Sequence, residues 1–273
     1  MPAHDLDLLI RAAEEGGRIA MRHWGKAPQM WDKPGGAGPV SEADLAVDRY
    51  LHDTLLAARP DHGWLSEETA DTPERLGCAR VFVVDPIDGT RAFLKGERDF
   101  ALSLALVEAG RTMAAVVHLP AHDLTFAATA TGPAMRNGAR LTLPQAAGSG
   151  RPTVLTSRPS FDPVHWKGGQ PPPLDRHFRP SIAYRLCLVA EGRFDSMMTL
   201  RPAWEWDVAA GVLIAERAGA IVTDPSGRPV TLNAAHPQAP GLVVAAPGLH
   251  ADILARLRPI PPATPLEAPG TLA

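Results

Sequence analysis

Val81-Phe82-Val83-Val84-Asp85-Pro86-Ile87-Asp88-Gly89-Thr90, residues 81–90, joins an apolar run to a turn that carries two carboxylates. An uninterrupted run of β-branched and aromatic residues reads as a buried strand. It is expected to stop at Asp85, where Pro86 and Gly89 bend the chain and aim Asp85 and Asp88 at one point. Hard divalent cations such as Mg²⁺ take oxygen ligands of this kind and keep positions open for water and phosphate. Gly89 and Thr90 precede a short helix-like segment, Arg91 to Lys95, so their N–H groups are able to face an anion beside the metal. The competing reading is an Asp-rich turn whose carboxylates cap local N–H groups.

Outward from this turn the period of apolar residues changes. Asp5 to Trp24 and Glu42 to about Ala58 carry helical periodicity, the first interrupted by Gly16-Gly17, the second opened by Ser41-Glu42-Ala43-Asp44 as a capping box. His62 to Ser66, Arg80 to Val84, Phe100 to Val107, Thr112 to Leu119 and Leu124 to Thr129 read as strands, with hairpin turns at Glu108–Arg111 and Asn137-Gly138. Further on, Val154 to Ser157, Phe194 to Met198, Ala220 to Thr223 and Leu242 to Ala245 read as strands. Leu186 to Glu191, Trp206 or Asp207 to Arg217 (stopped by Gly219) and Gly248 to Leu257 read as helices. Asp162 to Pro180 reads as a long irregular loop, a candidate rim of a binding site, and Pro259 to Ala273 as a frayed tail.

The expected architecture is therefore mixed α/β. An N-terminal α+β half, residues 1–148, carries the Asp turn, and a C-terminal α/β half, 149–258, precedes a proline-rich tail, 259–273. With 28 prolines and 24 glycines among 273 residues, the chain excludes long-helix bundles and coiled coils. A formal charge of −3 offers nothing to nucleic acid or an anionic membrane, and no apolar run is long enough to span a bilayer. Cys78 and Cys187 form neither a CxxC pair nor a disulfide framework. A soluble cytoplasmic protein is expected.

Two other acidic sites flank the turn. Trp64-Leu65-Ser66-Glu67-Glu68 ends an apolar run, and in extended chain only one of the two glutamates can face the same side. Trp204-Glu205-Trp206-Asp207-Val208-Ala209-Ala210-Gly211 opens a helix, for which Asp207 by itself reads as an N-cap. Motifs of P-loop, Rossmann, serine-hydrolase and zincin sites are missing from the sequence. Asp85 and Asp88 also lack the spacing of a haloacid-dehalogenase nucleophile pair. His118 and His122, on either side of Pro120, read as surface or hairpin-end residues rather than ligands.

Ser-Glu-Glu, Asp-Pro-Ile-Asp-Gly-Thr and Trp-Asp-Val-Ala-Ala-Gly, in this order, resemble the inositol monophosphatase superfamily. Pro39 to Asp44 and Ala218 to Asp224 extend the similarity, which runs from about Asp5 to Leu257. The resemblance implies a layered αβαβα sandwich with mixed and antiparallel sheets, and a phosphomonoesterase using two or three Mg²⁺ ions. Glu67, Asp85, the Ile87 carbonyl, Asp88 and Asp207 would be metal ligands, and Gly89 and Thr90 would hold the phosphate. Thr90 with Asp44 would help activate water beside Glu67, and Glu68 would support them. Arg91-Ala92-Phe93-Leu94-Lys95 and Leu186 to Arg193 are similar to the CysQ-type 3′(2′),5′-bisphosphate nucleotidases. A second substrate phosphate would then be met by cations, for which Arg158, Arg179 and Arg185 are candidates, against the alternative that all three are solvated. Pro180-Ser181 and Arg185 depart from that branch's Gly-Ser and Lys. Inositol-1-monophosphatase, histidinol-phosphatase-like activity and a metal-binding pseudo-phosphatase stand as alternatives. The partner expected is a small phosphorylated metabolite, the chain a monomer or homodimer, and lithium sensitivity follows from the family.

Overall fold

The computed structural model describes residues 2–33, 38–143 and 150–259. The chain begins with α1 (Pro2–His23), a small hairpin of β1 (Met30–Asp32) and β2 (Pro39–Ser41), and α2 (Glu42–Ala58). There follow β3 (Gly63–Ser66), β4 (Arg80–Asp88), α3 (Thr90–Leu94), β5 (Ala101–Glu108), β6 (Arg111–Leu119), β7 (Leu124–Thr129), β8 (Met135–Arg136) and β9 (Ala139–Arg140). The remainder holds β10 (Thr153–Leu155), β11 (Asp175–His177), α4 (Ile182–Ala190), β12 (Ser196–Thr199), β13 (Ala203–Trp204) and α5 (Glu205–Ala218). It ends with β14 (Ile221–Thr223), β15 (Gln238–Ala239), β16 (Leu242–Ala245) and α6 (Pro247–Arg256).

Strands β3 to β9 form a seven-stranded sheet in sequence order, parallel only at β3–β4. Its strands are apolar on both faces because both are covered. Phe82 and Val84 of β4 and Leu102, Leu104 and Leu106 of β5 pack under Leu9, Val47, Leu51 and Leu55 of α1 and α2. Val81, Val83, Ala105 and Val107 face α4 and α5 instead. Those two helices are shared with a five-stranded sheet, β11-β10-β12-β16-β14, whose outer face meets Ile253 of α6 and Trp166. The layers are thus αβαβα, as the resemblance implied.

Glycines let the layers approach. A β-carbon on Gly17 of α1 would lie 2.6 Å from the His118 ring, and one on Gly211 of α5 would lie 2.5 Å from Leu186 of α4. The Gly16-Gly17 pair, unfavourable for a helix in isolation, is therefore where α1 lies down on the sheet.

Several expectations are corrected. β4 does not stop at Val84 but runs to Asp88. Helix α5 starts at Glu205 with Trp204 as its N-cap, so Asp207 sits inside the first turn. Within 162–180 lie single 3-10 turns and β11, which extends the five-stranded sheet in parallel beside β10. His118 is buried and hydrogen-bonded to Thr125 at 2.9 Å, because α1 covers that end of the hairpin. The proposed boundary between the halves, and all but the first residue of the tail, fall outside the described residues.

Candidate active site

The Asp turn is built by a β-bulge. Asp85 pairs with Ser103 and Asp88 with Ala101, so β4 advances three residues while β5 advances two. In a regular strand, residues three apart face opposite sides; one extra residue brings both carboxylates to the same side. Gly89 then takes φ +99°, with Asp99 O 3.2 Å from where a β-carbon would stand, and leads into α3. A left-handed backbone in so tight a place suits glycine.

Three other elements converge on the bulge. Ser103, the β5 partner of Asp85, donates its hydroxyl to Trp206 O at 2.9 Å and so holds the first turn of α5, with Asp207, against β4. Glu67 follows β3 and donates its N–H to Val84 O at 3.2 Å. Asp44 belongs to the α2 capping box: its Oδ2 accepts from Ser41 N at 2.9 Å, while Oδ1 receives the Thr90 hydroxyl at 3.3 Å. Thr90 Oγ1 also lies 3.2 Å from Ile87 O. Asp88 reaches across to the start of α4, accepting from Ser181 Oγ at 2.7 Å and Ala183 N at 2.6 Å.

Carboxylate oxygens of Glu67, Asp85 and Asp207 all lie within 4.8 Å of one another. Burial, reinforced by Glu67, Asp88 and Asp207, pushes the Asp85 carboxyl well above the usual range. Burial and the neighbouring Asp88 and Glu67 do the same to Asp207, which lies within hydrogen-bonding reach of Asp85. Asp88 is raised by burial to about 6, held there against the bonds from Ser181 and Ala183. A convergent, all-oxygen set that repels itself fits a hard divalent cation, which relieves the repulsion and uses these donors.

A cavity of about 500 Å³ opens over this cluster, lined by Glu67, Asp85, Asp88, Gly89, Thr90 and Asp207. Arg91, Lys95, Arg185 and Arg201 also line it. Among the sequence candidates, Arg185 reaches the cavity, with its guanidinium donating to Arg179 O and Pro180 O. Arg158 is exposed in a 3-10 turn and is not brought to the cavity; Arg179 pairs with Asp99 at 3.4 Å.

Sequence reasoning missed four participants. Lys33 is buried, and its ammonium lies 2.7 Å from Glu67 and 2.8 Å from Glu68. The chain bends after Ser66, so the glutamates do not diverge as extended residues would, and one cation reaches both. Although burial opposes it, the two glutamates hold Lys33 above its ordinary value; Glu68 is pushed up to about 8 by burial and by Glu67. Arg201, Phe178 and Ser181 are the others; Arg201 and Phe178 carry no local motif, and Ser181, which stands at the Gly-Ser position of the nucleotidase branch, gives no local sign of its bond to Asp88.

The model of the inositol monophosphatase family matches residues 2–260. The chain is 33% identical to an inositol-1-monophosphatase of Rhizobium meliloti, over 81% of this chain and 86% of that one. It is 32% identical to the 3′(2′),5′-bisphosphate nucleotidase CysQ of Escherichia coli, over 82% and 92%. Among solved structures it resembles the IMPase of Thermotoga maritima, with TM-score 0.80, 28% identity, and 92% and 96% of the two chains covered.

Proposed function

This chain belongs to the inositol monophosphatase family and is a phosphoric monoester hydrolase; on that premise we propose that it is a Mg²⁺-dependent 3′(2′),5′-bisphosphate nucleotidase that converts 3′-phosphoadenosine 5′-phosphate to AMP. The supporting observation is the cavity wall: Arg91, Lys95, Arg185 and Arg201 share one cavity with the carboxylate cluster. A single phosphate over the metal cluster does not call for four cationic side chains. A second phosphate on the same substrate does.

Glu67, Asp85, Asp88 and Asp207, with the Ile87 carbonyl, would hold two or three Mg²⁺ ions. Bound there, the ions would supply Lewis-acid charge and a water of lowered pKa. Gly89 and Thr90 would seat the scissile phosphate at the bulge. The Thr90 hydroxyl, already directed at Asp44, would accept a hydrogen bond from the attacking water as its own proton moves toward that carboxylate. Water oxygen bonds to phosphorus as the ester P–O bond breaks, and no covalent phosphoenzyme forms. The departing ribose oxygen takes a proton from solvent to leave as the hydroxyl of AMP, and inorganic phosphate is the second product.

The R. meliloti relative supports inositol 1-phosphate as the second reading, at nearly equal identity. Phosphate release at fixed Mg²⁺ from 3′-phosphoadenosine 5′-phosphate, inositol 1-phosphate, fructose 1,6-bisphosphate and histidinol phosphate distinguishes them. The nucleotide is expected to show the highest kcat/KM. A clear preference for inositol 1-phosphate or histidinol phosphate overturns the substrate, and no release from any ester would mark a phosphate-binding module instead.

A further inference from the structure

Six large apolar side chains are substantially exposed among the described residues: Met30, Trp31, Leu76, Val164, Phe178 and Ile221. Of these, Phe178 alone lines the cavity that holds the carboxylate cluster. It is 50% exposed, directly after the edge strand β11.

Its position is fixed from both sides. His177 is paired in register with Leu155, and its carbonyl accepts from Thr156 N at 2.9 Å. Beyond it, Pro180 restricts the backbone, and Ser181 caps α4 while donating to Asp88. The ring is therefore joined by a short, braced segment to a carboxylate of the cluster. The Arg185 guanidinium stands 4.5 Å from the ring centroid and is itself anchored on the carbonyls of Arg179 and Pro180. A cation held on an aromatic face orients the ring, and the remaining surface is left to solvent. An exposed phenyl in a wall of cations is not explained by packing.

We infer that Phe178 is a specificity residue, an Arg185-backed platform on which the nucleobase of the substrate stacks while the phosphates engage the cationic wall and the carboxylate cluster. This rests on the nucleotide reading above and adds to it the part of the substrate that a sugar phosphate lacks. Base–aromatic stacking tolerates any base, so the platform selects nucleotides over polyol phosphates without choosing strongly among bases.

The test compares kcat/KM for 3′-phosphoadenosine 5′-phosphate with that for fructose 1,6-bisphosphate, which carries two phosphates and no ring to stack. Phe178→Ala is expected to lower the ratio of the two by about tenfold, mainly through KM for the nucleotide. Phe178→Leu is expected to lower it similarly and Phe178→Trp to preserve it. Equal losses on both substrates, as a folding or assembly role would give, overturn the inference, as does an unaltered ratio. If the wild-type enzyme prefers inositol 1-phosphate, the nucleotide reading fails, and Phe178 is judged separately by inhibition of that reaction. Phe178→Ala must then weaken inhibition by AMP more than inhibition by ribose 5-phosphate; equal weakening overturns the platform.

Discussion

Thr90 Oγ1 lies 3.3 Å from Asp44 Oδ1, so the hydroxyl at the start of α3 rests on a carboxylate whose other oxygen caps α2. Removing either partner while the metal cluster stays intact is expected to lower kcat by roughly 10²-fold or more, with KM little changed, for Thr90→Ala and Asp44→Asn alike. Thr90→Ser is expected to retain most of the rate. Asp44 must be ionised to receive a proton, and burial pushes its carboxyl up to about 6. kcat/KM is therefore expected to rise as pH passes through about 6, with bound cations moving that midpoint downward, and the limb should vanish in Asp44→Asn. A flat profile in the wild-type enzyme would remove Asp44 from the proton path.

Asp85 and Asp207 have carboxyls raised well above the ordinary value by burial and by each other's neighbours. A carboxyl with a higher pKa folded than unfolded favours the fold when protonated, so metal-free stability is expected to fall as pH rises above about 4. Mg²⁺ binding only the folded state should reverse this. Thermal unfolding in chelator should thus give a lower Tm at pH 8 than at pH 5, restored by Mg²⁺. Asp85→Asn should raise the chelator Tm at pH 8 by a few degrees, at about 2–4 °C per kcal/mol, while abolishing both the Mg²⁺ response and hydrolysis. A wild-type Tm indifferent to Mg²⁺ would count against the cluster as a metal site.

Lys33 spans Glu67 and Glu68 with an ammonium that is itself buried. Lys33→Met leaves two carboxylates facing each other without a cation, and breaking such a buried arrangement costs roughly 3–5 kcal/mol. Because the lysine pKa is raised in the fold, its contribution is present throughout the neutral range and is lost only at strongly alkaline pH. Urea denaturation in chelator at pH 8 should show the loss. At pH 5, where Glu68, raised to about 8, is protonated, the loss should shrink.

Gly17 leaves no room for a β-carbon against the His118 ring. Gly17→Ala gains about 1 kcal/mol of helix propensity but overpacks the layer at about 1–3 kcal/mol, so a lower Tm is expected. Burial lowers the His118 pKa to about 4. The fold therefore favours neutral imidazole, so the contribution of His118 is fully present above about pH 6.5 and is lost, on the order of 3 kcal/mol, as pH falls through 4. His118→Gln should flatten that decline; an equally steep decline would assign it to other groups.

Much of this was legible because apolar periodicity is a local property. The capping box at Ser41, the hairpin at Ala109-Gly110, the stop of α5 at Gly219 and the strand Leu242–Ala245 all stand where the residues indicated. The Asp85 turn was legible as a place where carboxylates meet. Its being a bulge within a continuing strand was not, because the bulge exists only relative to β5. Taken by itself Asp207 read as a cap, and only the resemblance made it a metal ligand, because serine-like capping and first-turn acids share a pattern until the helix start is seen.

The sequence by itself determined the alternation of helices and strands, and the residue types able to bind metal and phosphate at Asp85–Thr90, since both depend on neighbours in the chain. Tertiary structure alone decided which distant groups share the cavity. Ser103 had to hold α5 against β4 to bring Asp207 to Asp85, and Lys33 had to fold inward over Glu67. Phe178 and Arg201 entered the same cavity as Arg185 while Arg158 stayed outside. Charge and stacking act over a few ångströms of space, and separation along the chain does not measure that distance.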